Sequence, residues 1–260
     1  MNVRRETPAT VFVDADNTLW DTDGVFATAQ LNLLEGVERA IGEVSGQSDR
    51  LAFVRIVDQC IAERHHAGLR YPPRLLIDGL TAALRGEDLA RASRLALTGS
   101  LKVRLSDELS GNIEQAYFAD LGQQPALRPG VEIGLRALEE AGCTVLIVSE
   151  SAREKVERTA ERLGLKGHFT RIIEGAKRPD LYARVLRLTN APSPAFMVGD
   201  QLDRDIVPAK AAGLATIYFP GGFQPRWSPA VEKVGPDHII ASFAELPDIV
   251  LVEQMAIAAN

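Results

Sequence analysis

The sequence predicts an α/β chain: a parallel sheet with helices between its strands, interrupted by one all-helical insertion. Three observations lead there. Short apolar runs recur in the outer parts of the chain, "TVFVD", "TVLIVSE", "TRIIE", "AFMVGD", "ATIYFP" and "HIIAS". Most lack polar alternation, as strands buried on both faces require. Helix-length amphipathic patterns separate them, so strand and helix alternate, which favours parallel strands joined by right-handed crossovers. From about Gly24 to Gln124 that rhythm stops, and only helix-length patterns remain.

Taken in order, the first strand candidate runs into Asp14. The insertion carries "VFATAQLNLLEGVERAIGEV", "DRLAFVRIVDQCIAERHHAG" and "LARASRLALTGSLKVRLSDEL". Its length suits a domain of its own. We therefore expect residues 1–23 and 125–260 to form the α/β core and residues 24–124 a helical domain. The core resumes with "PGVEIGLRALEEAG", "AREKVERTAERLGL", "PDLYARVLRLTN" and "DRDIVPAKAAG" as helices. Gly142 and Gly213 stand where helix ends want a left-handed residue, and Pro129 and Pro179 near helix starts.

At 260 residues, 46% of them hydrophobic and 25% charged, the chain has the composition of an ordinary globular protein. A net charge of -6 and a pI of about 5.4 argue against general affinity for nucleic acid or anionic membrane. Cys60 and Cys143 are far apart and not in metal-ligand spacing, so they read as reduced core residues. Arg4 and Arg5 precede only a short apolar stretch that Asp14 interrupts, unlike a signal peptide. The apolar "IVLVEQMAIAAN" is short and broken by Glu253. A cytoplasmic protein without a membrane partner is expected.

Ligands of open parallel sheets bind beyond the carboxyl ends of the strands. Those ends deliver Asp14 and Asp16, then Ser149, then Lys177 and Arg178, then Gly199, Asp200 and Asp205. Singly, each has an ordinary reading: turn and cap chemistry for the Asp and Ser residues, a solvated surface for the lysine. Together they gather carboxylates, a hydroxyl and a cation at one edge. Like charges so placed call for a divalent cation besides the lysine.

"DADNTLWDT", Ser149, Lys177 and "GDQLDRD" resemble the four ordered motifs of the haloacid dehalogenase (HAD) superfamily. The helical insertion resembles its C1-type cap, and "PDHIIASFAELPDI" its final core strand and helix. The resemblance implies a Rossmann-like three-layer core and a Mg²⁺-dependent phosphatase acting on a small phosphorylated metabolite. Asp14 would be the nucleophile that forms an aspartyl-phosphate, and Asp16 the acid–base for leaving alcohol and water. Ser149 and Lys177 would hold the phosphoryl oxygens. Mg²⁺ would take the Asp14 side chain, the Asp16 backbone carbonyl and Asp200, with Asp205 supporting that shell. Asp16 argues against dehalogenation, because halide leaves without a proton and an alkoxide does not.

Asn17 stands where the family usually has Gly, and it tolerates left-handed geometry. Arg178 intervenes between Lys177 and Pro179, so either cation could fill the phosphate-binding role; a compact ammonium beside the nucleophile favours Lys177. Candidate substrate contacts are Trp20, Glu150, Arg70, Tyr71 and Arg178. In the insertion "ERHHAGLRYPPR" also places His65, His66 and Arg74 near a helix end. Asp21, Asp23 and Gly24 read as turn residues of a flap hairpin. The alternatives are a phosphosugar mutase, a dehalogenase, a phosphonatase (its lysine would be Lys102) or a catalytically idle binding relative. A monomer or homodimer is expected.

Overall fold

Thr10–Val13 leaves no polar face, because all four residues are buried, and such a segment suits only an interior strand. The computed structural model, which describes residues 9–191 and 194–258, makes it β1 of a six-stranded sheet. The others are β2 (Thr144–Ser149), β3 (Arg171–Glu174), β4 (Ala195–Gly199), β5 (Ala215–Tyr218) and β6 (His238–Ile239). All pairings are parallel and the order is β3-β2-β1-β4-β5-β6. The order reverses between β1 and β4, the switch point where a crevice opens beyond the strand ends.

The chain divides into two compact units, one of residues 1–23 with 124–260 and one of residues 24–123. Five helices account for the second: α1 (Thr22–Ile41), which starts in the first unit, α2 (Arg50–Ala62), α3 (Pro73–Leu84), α4 (Leu89–Thr98) and α5 (Asp107–Leu121). Leu33, Leu34, Val54, Val57, Ile77 and Leu80 lie in its core. Asp49, Asp88 and Ser106 cap the N-termini of α2, α4 and α5 by accepting backbone N–H groups. Two details differ from the sequence reading. The run "LARASRLALTGSLKVRLSDEL" is not continuous: α4 ends at Gly99, which takes φ 66°, and α5 starts after Ser106. And α3, which the sequence reading did not single out, is buried over most of its circumference, from Leu76 to Ala82.

In the first unit, α6 (Val131–Glu140), α7 (Arg153–Arg162), α8 (Pro179–Thr189), α9 (Val207–Ala211), α10 (Val231–Val234) and α11 (Leu246–Ala258) follow in chain order. The strands' period of two sorts their side chains onto two faces. Val11, Val13, Val145, Ile147 and Val198 share a core with α6, α7 and α11. Phe12, Leu146, Val148 and Met197 share another with Tyr182 and Val185 of α8 and Ala209 of α9. Each such side chain contributes about 1.5–3 kcal/mol by burial. The result is the α/β core that the strand and helix patterns predict, in the three layers that the resemblance implies. Gly142 and Gly213 take the expected positive φ, 76° and 85°. No helix among the described residues is long and apolar enough to cross a membrane.

The flap differs from expectation. Asp23 and Gly24 sit in the first turn of α1, where an acidic residue complements the positive end of the helix. Asp21 instead donates its N–H to Ala126 O at 2.8 Å. Trp20 makes an isolated antiparallel bridge to Leu127. The segment is therefore a bend leading into α1, with no hairpin of paired strands.

Candidate active site

Asp14 follows β1 directly, and its N–H donates to Val198 O of β4 at 2.9 Å. That bond carries the β1–β4 ladder one step past the strand and sets the carboxylate at the switch point. Asp200 follows β4 in the same way. Gly199, the last residue of β4, is obligatory: a Cβ there would overlap the Asp205 carboxylate. Asp205 comes from a π-helical turn, Leu202–Ile206, whose wide winding brings its side chain back toward the strand. Gln201 N–H donates to Asp205 Oδ2 at 2.9 Å and fixes it there.

Lys177 lies in the loop between β3 and α8. The loop hangs on β2, with Gly175 N donating to Ser149 O at 3.0 Å and Lys177 N to Glu150 Oε1 at 3.2 Å. The Lys177 side chain is buried. Its ammonium donates to Asp14 Oδ1 and, at 2.5 Å, to Asp205 Oδ1. Burial opposes the charge on Lys177, but Asp14 and Asp205 outweigh it and hold the group protonated. Burial also pushes the Asp14 carboxyl up to about 7; Lys177 opposes this while Asp205 and Asp16 add to it.

Asp14, Asp200 and Asp205 present ligand atoms within 4.8 Å of one another, all three residues buried. Among the described residues, neither carboxylate oxygen of Asp200 has a hydrogen-bond partner. Burial, with Asp14 and Asp205 nearby, pushes its carboxyl well above the ordinary range. A buried carboxylate without a donor is costly. Three carboxylates against one ammonium leave a negative pocket of oxygen ligands, which fits a hard divalent cation such as Mg²⁺.

Asp16 contrasts with its neighbour two residues away. Oδ1 accepts from Trp20 Nε1 at 3.0 Å and Thr22 Oγ1 at 2.7 Å, and Oδ2 from Ser151 Oγ at 2.6 Å. Burial works against ionisation, yet these donors and the positive Lys155 outweigh it and hold Asp16 below the usual aspartate value. Asn17 takes φ 60°, the left-handed geometry that Asn tolerates. Its Oδ1 accepts the Asp23 N–H at 2.7 Å. Ser149 is buried at the end of β2, and its Oγ accepts from Ser151 N at 3.1 Å.

The other predicted substrate contacts lie as follows. Trp20 is 2% exposed and uses its indole on Asp16. Both oxygens of Glu150 accept from the protein, one from Lys177 N and one from Arg204 Nη1 at 3.2 Å. Arg178 is exposed and pairs with Asp180 at 3.5 Å. In the helical unit Arg70 is exposed, whereas Tyr71 is buried and donates its hydroxyl to Asp58, which also accepts from Gln30 Nε2 at 3.1 Å.

Thr18, Thr22 and Ser151 escaped the sequence reading. Thr18 lies in the turn after the Asp-x-Asp and Thr22 opens α1, and Thr18 Oγ1 donates to Asp14 Oδ2 at 3.2 Å. Ser151 lies 135 residues from Asp16 and carries no local signal.

Residues 8–213 match the haloacid dehalogenase-like hydrolase family. The chain belongs to that family. This hydrolase is 28% identical, over 179 residues, to a phosphoglycolate phosphatase of Vibrio vulnificus, covering 64% of this chain and 77% of that protein. It is also 28% identical, over 252 residues, to a ribulose-1,5-bisphosphate 5-phosphatase of Halopiger xanaduensis, covering 92% and 98%. A haloacid dehalogenase-like hydrolase of known structure from Xanthomonas campestris shares its fold, with a TM-score of 0.65 at 21% identity, over 98% of this chain and all of that one.

Proposed function

We propose that this HAD-type hydrolase is a Mg²⁺-dependent phosphomonoesterase that cleaves a small phosphorylated metabolite through an aspartyl-phosphate on Asp14. One observation carries the reading. A buried nucleophilic carboxylate, the Lys177 ammonium and an unpartnered Asp200 carboxylate meet at the switch point, with a separately held Asp16 beside them. The relatives named as phosphatases of phosphoglycolate and ribulose bisphosphate support phosphate ester chemistry.

Asp14 attacks phosphorus with one carboxylate oxygen, forming a new P–O bond as the ester P–O bond breaks. Asp16 takes up a proton as the anionic phosphate binds beside it and opposes its ionisation, and gives that proton to the departing alkoxide, which leaves as the alcohol. Water then attacks the phosphoryl group, Asp16 takes the water's proton, and orthophosphate departs with Asp14 regenerated. Lys177 neutralises charge on the phosphoryl oxygens. Ser149 Oγ, already accepting from Ser151, keeps its own hydrogen to donate to them. Asp14, Asp200, Asp205 and the Asp16 carbonyl would hold Mg²⁺, which supplies positive charge against the phosphate. Asp16 also separates this chemistry from carbon–halogen cleavage, whose leaving group needs no proton.

The test is phosphate release from a panel of metabolites, 2-phosphoglycolate and ribulose 1,5-bisphosphate among them, with Mg²⁺ and with chelator. Release should need Mg²⁺ and vanish in freshly prepared Asp14→Asn protein. Turnover that survives either condition overturns the mechanism.

A further inference from the structure

An ionised aspartate offers about four lone-pair positions, two on each oxygen. In Asp16 three are taken. Trp20 and Thr22 fill both positions on Oδ1, and Ser151 fills one on Oδ2. The indole N–H is only ever a donor, so it cannot turn to receive a proton from the oxygen it holds. Trp20 is itself immobilised, nearly fully buried and bridged to Leu127. The remaining position, on Oδ2, is the place for a transferable proton.

Resting on the reading of Asp16 as acid–base, we infer that Trp20 and Ser151 are positioning residues that confine its proton transfer to Oδ2. The proton on Oδ2 passes to the alkoxide oxygen as the ester P–O bond breaks. In the second half-reaction a water proton returns to the same atom as the water oxygen bonds to phosphorus. Ser151 can keep its hydrogen bond throughout, because it occupies the other Oδ2 position. The backbone N–H of Ser151 also donates to Ser149 Oγ at 3.1 Å. One turn after β2 thus sets both the hydroxyl that meets the phosphate and the oxygen that carries the proton. This gives Trp20 a role different from that of a substrate contact, since its polar atom is committed to Asp16.

Leaving-group dependence tests this. A nitrophenolate departs without much protonation, whereas an alkoxide needs it. Turnover of 2-phosphoglycolate, or of the panel's fastest alkyl phosphate, is compared with that of p-nitrophenyl phosphate. Asp16→Asn should lose about 100-fold or more in kcat on the alkyl ester and far less on the aryl ester. Trp20→Phe and Ser151→Ala should follow the same bias, with a loss of about tenfold on the alkyl ester at nearly unchanged KM. Ser151→Thr, which keeps a hydroxyl, should restore most of the rate. Equal losses on both esters mean a merely structural role and overturn the inference, as does wild-type behaviour of Trp20→Phe and Ser151→Ala beside a biased Asp16→Asn. If Asp16→Asn itself shows no bias, the acid–base reading fails and takes the inference with it. Should Trp20→Phe not fold, Ser151→Ala at its half-buried position decides.

Discussion

Replacing Asp14 by Asn should gain stability on the metal-free wild type as pH rises from about 5 to about 8, although it abolishes turnover. Burial lifts the folded-state carboxyl from 3.8 to about 7. A carboxyl raised in this way contributes stability that is fully present below its unfolded value and is lost as pH rises through about 7. At about 1.36 kcal/mol per pH unit, the loss amounts to about 4 kcal/mol by pH 8, and about 3 kcal/mol of it falls between pH 5 and pH 8. Asparagine is neutral throughout, so Asp14→Asn should gain about 3 kcal/mol on the wild type across that interval. The assay is urea unfolding in EDTA at both pH values, followed by tryptophan fluorescence. Both tryptophans, Trp20 and Trp227, lie in the α/β unit, so the signal reports that unit. A stability gap that stays constant between pH 5 and pH 8 would falsify the argument that burial dominates at Asp14. Saturating Mg²⁺ should shrink the gap, because a bound cation stabilises the ionised wild-type carboxylate.

Gly199→Ala should displace the Asp205 carboxylate, weaken its bond to Lys177 and cost about 1–3 kcal/mol; thermal unfolding and a Mg²⁺ titration check it, and an unchanged Mg²⁺ requirement counts against the placement of Asp205. Tyr71→Phe leaves the buried Asp58 short of a donor and should cost about 1–3 kcal/mol with kcat/KM little changed. A large fall in kcat/KM at unchanged stability would instead make Tyr71 a substrate contact. Asp237 accepts from Thr216 N at 2.8 Å and Thr216 Oγ1 at 2.7 Å, tying the approach to β6 to β5. Burial opposes its ionisation, but the Thr216 and Lys210 contacts outweigh it and hold its carboxyl below the ordinary value. Asp237→Ala should therefore cost about 1–2 kcal/mol at pH 7, an amount reduced for solvent exposure. That difference should fade as pH drops below about 4 through the folded-state value; a gap unchanged at pH 3 would point to lost packing instead.

The sequence by itself determined the sheet, because a strand buried on both faces must be apolar along its length and must stop where a polar or flexible residue follows. "TVFVD" and "AFMVGD" announce β1 and β4, and the parallel arrangement then puts Asp14 and Asp200 at the same edge. The left-handed positions were legible for a similar reason: few residues tolerate that geometry, and Asn17, Gly142 and Gly213 are among them. Inside the helical unit legibility fell. α3 was not singled out, and the break at Gly99 lies within a run whose apolar spacing continues past it.

Only the tertiary structure decided how the polar atoms are shared out. Their places beside Ser149 and after the Asp-x-Asp mark Glu150 and Trp20 as candidates to meet a ligand; the fold commits the oxygens of one to Lys177 and Arg204 and the indole of the other to Asp16. Ser151 reaches Asp16 across 135 residues. Lys177 and Arg178, adjacent in sequence, end up one buried between two carboxylates and the other exposed. Hydrogen bonds depend on side-chain direction to within tenths of an ångström. That direction is settled when distant segments pack, so local patterns in the chain locate the strand ends and leave the partners of each side chain to the folded state.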